Sequence, residues 1–170
     1  VFDAPEIRDL LTIVSAVDDP ADAIAVVGAL RTSLLGCADP ELFAWVAAGG
    51  SWDHRLPPPV GAPAAVAEAM AALHGWHRAA RWCEPATLLE QIVRTRDAYA
   101  LALTERRPRD AWRRVRFLID QARRFADVGA GHLREFLDWA ALQAREGARV
   151  PEPLLPETDD DAVRVMTFHG

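Results

Sequence analysis

The sequence predicts an all-α protein, an irregular bundle of about seven helices followed by one β-strand at the C-terminal end. Apolar residues recur at every third or fourth position over most of the chain, which is the spacing of a helix with one buried face. Residues that start and stop helices separate these segments. With 170 residues, 51% of them apolar and 26% charged, the chain is long enough to form one domain with its own core.

The first two helices are predicted from their caps and their apolar stripes. Asp3 is expected to cap the first helix, and Pro5 falls in its first turn. Residues 18–20 end this helix and start the next one. The apolar stripe of the first helix comprises Ile7, Leu10, Leu11, Val14 and Val17, and the expected inner face of the second comprises Ile24, Val27 and Leu30.

A turn centred on Gly36 is predicted to lead into a short third helix. The Asp-Pro pair at residues 39–40 is expected to start that helix, and the two glycines at 49–50 end it. The long loop over residues 49–63 comes next. Its three consecutive prolines favour a stiff polyproline segment.

Four further helices are predicted in the rest of the chain. An Ala-rich helix covers about residues 64–82, and a shorter helix follows Pro85. The last two cover about residues 108–126 and 132–146. The residues expected to face inward in these four helices are Val66, Met70, Leu73 and Ala80; Leu88, Leu89, Ile92 and Val93; Trp112, Val115, Ile119, Ala122, Phe125 and Ala126; and Leu133, Phe136, Leu137, Ala140 and Ala144.

The C-terminal residues differ from the helical part. Residues 151–162 are rich in proline and acid, which we interpret as a solvated hinge rather than a divalent-ion site. Residues 163–170 begin as an alternating strand, and a lone strand needs partners for its edges. We therefore expect residues 1–150 to be a helical unit excised from a larger parent protein, with the strand belonging to a missing domain.

Positive charge is concentrated in one segment. The net charge of −6 argues against a wholly basic nucleic-acid coat protein but leaves room for a local basic patch. Two interpretations of this segment stay open, a charged solvent face paired with nearby acids or a phosphate-contacting surface to which Arg113, Arg114 and Arg116 belong. The arginines of the segment are Arg106, Arg107, Arg109, Arg113, Arg114, Arg116, Arg123 and Arg124.

Several function classes lack their sequence signatures. There is no Gly-x-x-x-x-Gly-Lys phosphate loop and no Gly-x-Ser-x-Gly elbow, so no catalytic residue and no cofactor are predicted within this chain. His74 and His77 are interpreted as surface or half-buried side chains rather than metal ligands, and Cys37 and Cys83 as reduced thiols. No apolar run is long enough to span a bilayer and no signal peptide is present, which predicts a cytoplasmic protein without membrane contact.

The strand end carries two polar side chains on one side. Thr167 and His169 alternate with Phe168, so their side chains emerge together. A hydroxyl and an imidazole at that place are able to donate hydrogen bonds to a phosphate or to the edge of a base.

Residues 163–170 read Val-Arg-Val-Met-Thr-Phe-His-Gly. After an acidic linker, this resembles the start of the Thr-x-His-x-x-Lys-Gly-Leu-Glu motif of UvrD/Rep-type superfamily 1 DNA helicases. The N-terminal part, through residues 30–42, is similar to the segment that leads into the accessory helical subdomain of these helicases. Residues 30–42 and 133–139 are closest in character to the RecB and AddA branch, and the resemblance covers essentially the whole chain.

The resemblance implies a parent enzyme that hydrolyses ATP and moves 3′ to 5′ along single-stranded DNA in repair or recombination. ATP and Mg would bind that parent outside this chain. Residues 1–150 would be its accessory helical subdomain (2B), 151–162 the hinge, and 163–170 the return into the second motor domain. The implied partners are DNA (a single strand and a single/double-strand junction), the motor domains of the same parent chain and a partner subunit.

The resemblance also implies site residues. Thr167 and His169 correspond to the motif positions that contact the single strand. The Gly-Ile-Gly turn that touches duplex DNA in UvrD-type members falls on Gly36, Cys37 and Ala38, of which only the first matches. We expect a turn with free backbone N–H groups there, which would suit an anion.

One alternative function stays open beside this expectation. The chain would then be a helical protein-interaction or regulatory module without DNA contacts of its own. An exposed apolar patch around Trp45, Trp52 and Trp76 would be its signature. We expect instead that most of the six tryptophans are core residues. A stand-alone helical enzyme is the least favoured interpretation, because no nucleophile–base pair or ligand set is evident.

Overall fold

The computed structural model describes residues 2–104, 107–127 and 131–146. All regular structure in these ranges is helical, which confirms the predicted all-α class. The predicted hinge at 151–162 and the strand at 163–170 lie outside the described residues. The helices of the described ranges are α1 (Pro5–Asp18), α2 (Ala23–Leu30), α3 (Asp39–Ala47), α4 (Ala64–Ala80), α5 (Pro85–Thr95), α6 (Ala98–Ala102), α7 (Pro108–Asp127) and α8 (Leu133–Glu146).

Helix α1 lies at the centre of the bundle. It packs against α2, α4, α7 and α8, and its buried residues cover about half of its circumference rather than a narrow stripe. Those residues are Ile7, Leu10, Ile13, Val14, Ala16 and Val17. Helix α5 organises the neighbouring part of the core, where it contacts α4, α6 and α7. All four of its predicted inward residues are buried.

The helix starts differ from the predicted caps. Asp3 does not cap α1, whose N-cap is Ala4 without a side-chain hydrogen bond. Helix α2 begins later than expected, because the Asp22 carboxylate accepts hydrogen bonds from the backbone N–H groups of Ile24 and Ala25 at 2.9 and 3.0 Å. Helix α3 includes Asp39, and its start is held by the Glu41 carboxylate, which accepts a hydrogen bond from the backbone N–H of the cap residue Ala38 at 2.8 Å.

Two residues that the sequence predicts to face inward, Ile24 and Trp112, face solvent instead. Ile24 is 87% exposed, because α2 packs through the opposite side of the helix, on which Val26, Ala29 and Leu30 are buried. Trp112 is 42% exposed at the edge of the buried face of α7. The short helix α6, which the sequence does not indicate, lies beside this ring and accepts its indole N–H through the Tyr99 carbonyl at 2.8 Å.

The three tryptophans that the alternative function would place in an exposed patch are mostly core residues. Trp45 and Trp76 are 1% and 4% exposed, and the half-buried Trp52 stacks on Trp45. The prediction that most tryptophans belong to the core is therefore confirmed at these positions, and the exposed patch that the alternative function would require is not found around them. Gly50 approaches the Trp45 ring so closely that a Cβ there would overlap the indole. Trp82 is the strongly exposed tryptophan of the described ranges, at 89%.

Among the described residues, no helix combines the length and the apolar character needed to cross a membrane. The two cysteines are free thiols, Cys37 buried and Cys83 half-buried. Burial raises the pKa of both thiols, since a thiolate is poorly solvated there.

Candidate nucleic-acid interface

Helix α7 presents a basic outer face. Its buried residues, Ala111, Val115, Leu118, Ile119 and Ala122, all lie on one side. Arg113, Arg116 and Arg124 are exposed on the other. Neither Arg116 nor Arg124 makes an ion pair with any residue that the structure describes. Helix periodicity thus gives the predicted separation of an apolar stripe from an arginine face.

The predicted arginine cluster is divided between different neighbours. Arg114 turns toward α1, where it forms an ion pair with Glu6 at 3.0 Å, and its side chain is only 27% exposed. Arg123 pairs with Asp120 at 2.8 Å and also with Glu90 of α5. These two arginines hold helices together, whereas Arg113 and Arg116 reach the surface. Arg106 lies outside the described residues.

A cleft runs between α5, α6 and the exposed flank of α7. Its part nearest α7 encloses about 350 Å³ and is lined by Trp112 and Tyr99 together with Arg116. Tyr99 also borders the adjoining part, of about 570 Å³, which extends along α5 toward Arg94 and Asp97. The Tyr99 and Trp112 rings meet edge to face, with centroids 5.2 Å apart. The cleft therefore combines an anchored aromatic pair with a surface arginine.

The turn around Gly36 has the backbone shape that the sequence predicts but not the free donors. Gly36 has a φ of +64°, which favours glycine. Its N–H donates to the Thr32 carbonyl at 2.7 Å, and that of Cys37 donates to the Leu30 carbonyl at 2.9 Å. The N–H of Ala38 is bound by Glu41. The expectation of free N–H groups at these three positions is therefore wrong.

The same turn is fixed to the centre of the bundle. Asp9 of α1 accepts hydrogen bonds from both the backbone N–H and the hydroxyl of Ser33, at 3.1 and 2.8 Å. Ser33 and Leu34 border a small cavity of about 70 Å³ whose far wall includes Ala111 and Val115 of α7. The structure thus brings this turn near the first half of α7. Thr167 and His169 lie outside the described residues.

Sequence reasoning missed a cluster of three histidines. His54, from the long loop, is 4% exposed, and its ring lies 6.1 Å from that of His74 and 5.7 Å from that of His77. His54 Nε2 donates to the Ala16 carbonyl at 3.0 Å and His77 Nδ1 to the Val17 carbonyl at 2.7 Å. The two imidazoles thereby satisfy carbonyls at the C-terminus of α1 that have no partner within the helix.

This histidine cluster does not form a metal site. Within the described ranges, no three His, Cys, Asp or Glu side chains are placed to hold a metal ion. His74 and His77 are half-buried, as predicted. Burial lowers the pKa of His54, and its buried Nδ1 lacks a hydrogen-bond partner. His54 is therefore a structural residue. Its role is visible only in the folded chain, because the carbonyl that it binds belongs to α1, which is distant in the sequence.

No protein-family model matches the sequence. The chain is 28% identical, over 183 aligned residues, to an ATP-dependent helicase/nuclease subunit of Desulforudis audaxviator. This similarity supports a helicase-family relation. The alignment takes in 99% of this chain and 14% of that protein, so the chain corresponds to a small part of the length of this relative.

Proposed function

We propose that this chain is the accessory helical subdomain of an ATP-dependent 3′–5′ DNA helicase or helicase-nuclease, and that it contacts or gates DNA rather than carrying out chemistry. The observation that carries the proposal is the similarity, over 99% of the chain, to a helicase/nuclease subunit. The all-helical fold agrees with the accessory subdomain that the sequence resembles.

In this proposal the outer face of α7 contacts DNA phosphates. Arg113 and Arg116 are exposed there, and guanidinium groups suit phosphate oxygens because they are always charged and present several donors. Arg114 has a smaller role at the surface, since Glu6 engages it. In this proposal Gly36 contributes to DNA contact by allowing its turn to form near α7, and not by donating free N–H groups.

The chemistry of the proposed helicase belongs to the rest of the parent chain. ATP and Mg bind its motor domains, residues 151–162 form the hinge to them, and Thr167 and His169 touch the single strand. A partner subunit completes the expected set of contacts. Each of these assignments extends the sequence resemblance.

Fluorescence anisotropy with a labelled single/double-strand junction tests the proposed DNA contact. The double variant R113A/R116A is compared with R78A/R81A, which removes two arginines at the end of α4. We expect the α7 variant to bind more weakly and to reduce the slope of log affinity against log salt by up to about 1.8. Equal slopes for both variants, or no junction binding by the unaltered chain at low salt, would contradict the proposal.

A second candidate function, a protein-interaction module, is favoured by one observation. Phe43 and Val46, on the outer side of α3, are 77% and 52% exposed. Neighbouring apolar side chains in solvent are typical of a docking surface for another protein. This candidate predicts that the unaltered chain does not bind the junction at any salt concentration, so the same titration separates the two functions.

A further inference from the structure

Contact with DNA phosphates does not explain why α7 carries Trp112, a partly exposed indole that is held in one orientation. Trp112 is 42% exposed, yet its N–H donates to the Tyr99 carbonyl at 2.8 Å and its ring meets the Tyr99 ring edge to face. Trp82 is a useful contrast, since it is 89% exposed and makes no ring contact within the described residues. The Trp112 ring is therefore fixed in place while part of its surface stays in solvent.

A fixed aromatic surface is suited to stacking. A ring that already has one orientation loses little side-chain entropy when a second flat group stacks on it. The indole N–H is already used, so what the ring still offers is apolar π surface rather than a hydrogen bond. The bases of single-stranded nucleic acid are the flat groups that proteins bind in this way without regard to sequence.

An arginine beside the ring provides donors that suit the phosphate of a nucleotide. Arg116 lies one helical turn from Trp112 and lines the same cleft. The cleft also contains Glu90 and Asp120, but both of these carboxylates pair with Arg123. Arg116 makes no ion pair with a described carboxylate, so the N–H donors of its guanidinium group remain open to a phosphate although the four charged side chains of the cleft sum to zero.

Arg116 also acts on Tyr99, which places its charge near the aromatic pair. Burial raises the pKa of the Tyr99 phenol, and the positive charge of Arg116 opposes that rise. An arginine near a stacking ring offers a partner for the phosphate that follows the stacked base.

We propose that the cleft between α5, α6 and α7 binds one unpaired nucleotide of single-stranded DNA, with its base stacked on Trp112 and its phosphate on Arg116. The inference rests on the proposed function and deepens it, because it assigns part of the DNA contact to an unpaired strand. It adds a base-dependent contact to the salt-dependent contact of the arginine face.

The decisive experiment uses the unaltered chain and two labelled strands. One is an oligothymidylate, and the other has the same phosphates but lacks the bases at its central positions. We expect the abasic strand to bind about 5- to 100-fold more weakly, since stacking is lost while the charge is unchanged. Equal affinity for both strands would overturn the stacking site and would leave the arginine-face proposal intact.

Substitutions then locate the contact. W112A should weaken oligothymidylate binding by a similar factor and abolish the preference for oligothymidylate over the abasic strand. W112F should retain most of that preference, because it keeps an aromatic ring. W82A should behave as the unaltered chain. R116Q should reduce the slope of log affinity against log salt by about 0.7.

Three outcomes would overturn parts of this account. If W112A keeps the preference for the strand with bases, Trp112 is not the stacking ring. If the chain binds a proline-rich or aromatic peptide at Trp112 and W112A leaves DNA binding unchanged, the cleft is a peptide site. If no strand or junction binds, the proposed function fails as well.

Discussion

Helices α1 and α7 pack against each other, and they differ in how much of their surface is buried in the core. Four helices surround α1, which buries residues around half of its circumference. Helix α7 buries one side and leaves arginines on the other. Even the C-terminal carbonyls of α1 are bound, by His54 and His77. The comparison separates a helix that organises the core from one whose outer side is exposed to solvent.

The largest effect is expected when the core role of α1 is removed. Leu10 is 1% exposed, so L10A should lower the free energy of unfolding by about 2–5 kcal/mol through lost burial and a cavity. L142A, at a position of α8 that is 49% exposed, is the matched control and should change it by less than about 0.5 kcal/mol. Urea denaturation measures both. A similar loss in the two variants would contradict the central position of α1.

A pH-dependent effect is expected at the C-terminal end of α1. His54 donates from Nε2 to a carbonyl, so its buried Nδ1 is the unprotonated nitrogen, and protonation would place a charged N–H where it has no acceptor. Its pKa is lowered below 6.5, chiefly by burial. The unfolded chain therefore binds this proton more readily, and the contribution of neutral His54 is present above pH 6.5 and is lost as the pH falls through the folded pKa.

Urea denaturation at about pH 7.5 and about pH 5.5 checks this expectation. The imidazole rings of His74 and His77 face His54, and Asp53 is its neighbour in the chain. The comparison is therefore made between the unaltered chain and H54Q. The unaltered chain should lose more stability on acidification than H54Q does. An equal loss in both would show that His54 does not couple folding to pH.

The smallest effect is expected for the ion pair that joins the two helices. Glu6 and Arg114 are 20% and 27% exposed in their side chains, and a double-mutant cycle with E6Q and R114Q should give a coupling energy of about 0.5–1 kcal/mol. The pair of Arg31 with Asp39, exposed by 58% and 71%, is the control and should couple more weakly. If the exposed pair couples as strongly, Arg114 does not hold α7 to α1 more firmly than a surface pair would.

Local patterns in the sequence predict most of the helices. The stripes of α5 and of the middle of α7 repeat with the helical period, and their burial follows from that period alone. The period gives neither the width of the buried face, which is why it wrongly places Trp112 inward, nor the side through which an apolar helix packs, which is why it wrongly places Ile24 inward. Helix α6 has five residues, too few to show any period. The start of α2 depends on which of several aspartates caps it.

The candidate site is also predictable only where it depends on residues that are close together in the sequence. The concentration of arginines between residues 106 and 124 is local, so the sequence indicates it. Which arginine binds which neighbour depends on tertiary packing, and this separates Arg114 from Arg116. The contact of His54 with α1 joins residues 38 positions apart, and no local signal marks it.

The most direct test of DNA contact by α7 is a titration of the isotopically labelled chain with single/double-strand junction DNA, followed by amide and indole N–H resonances. We predict that the indole resonance of Trp112 and the amides around Arg113 and Arg116 shift, while the indole of the buried Trp45 does not. Shifts confined to the exposed face of α3 around Phe43 and Val46, or no shift at low salt, would contradict DNA contact by α7.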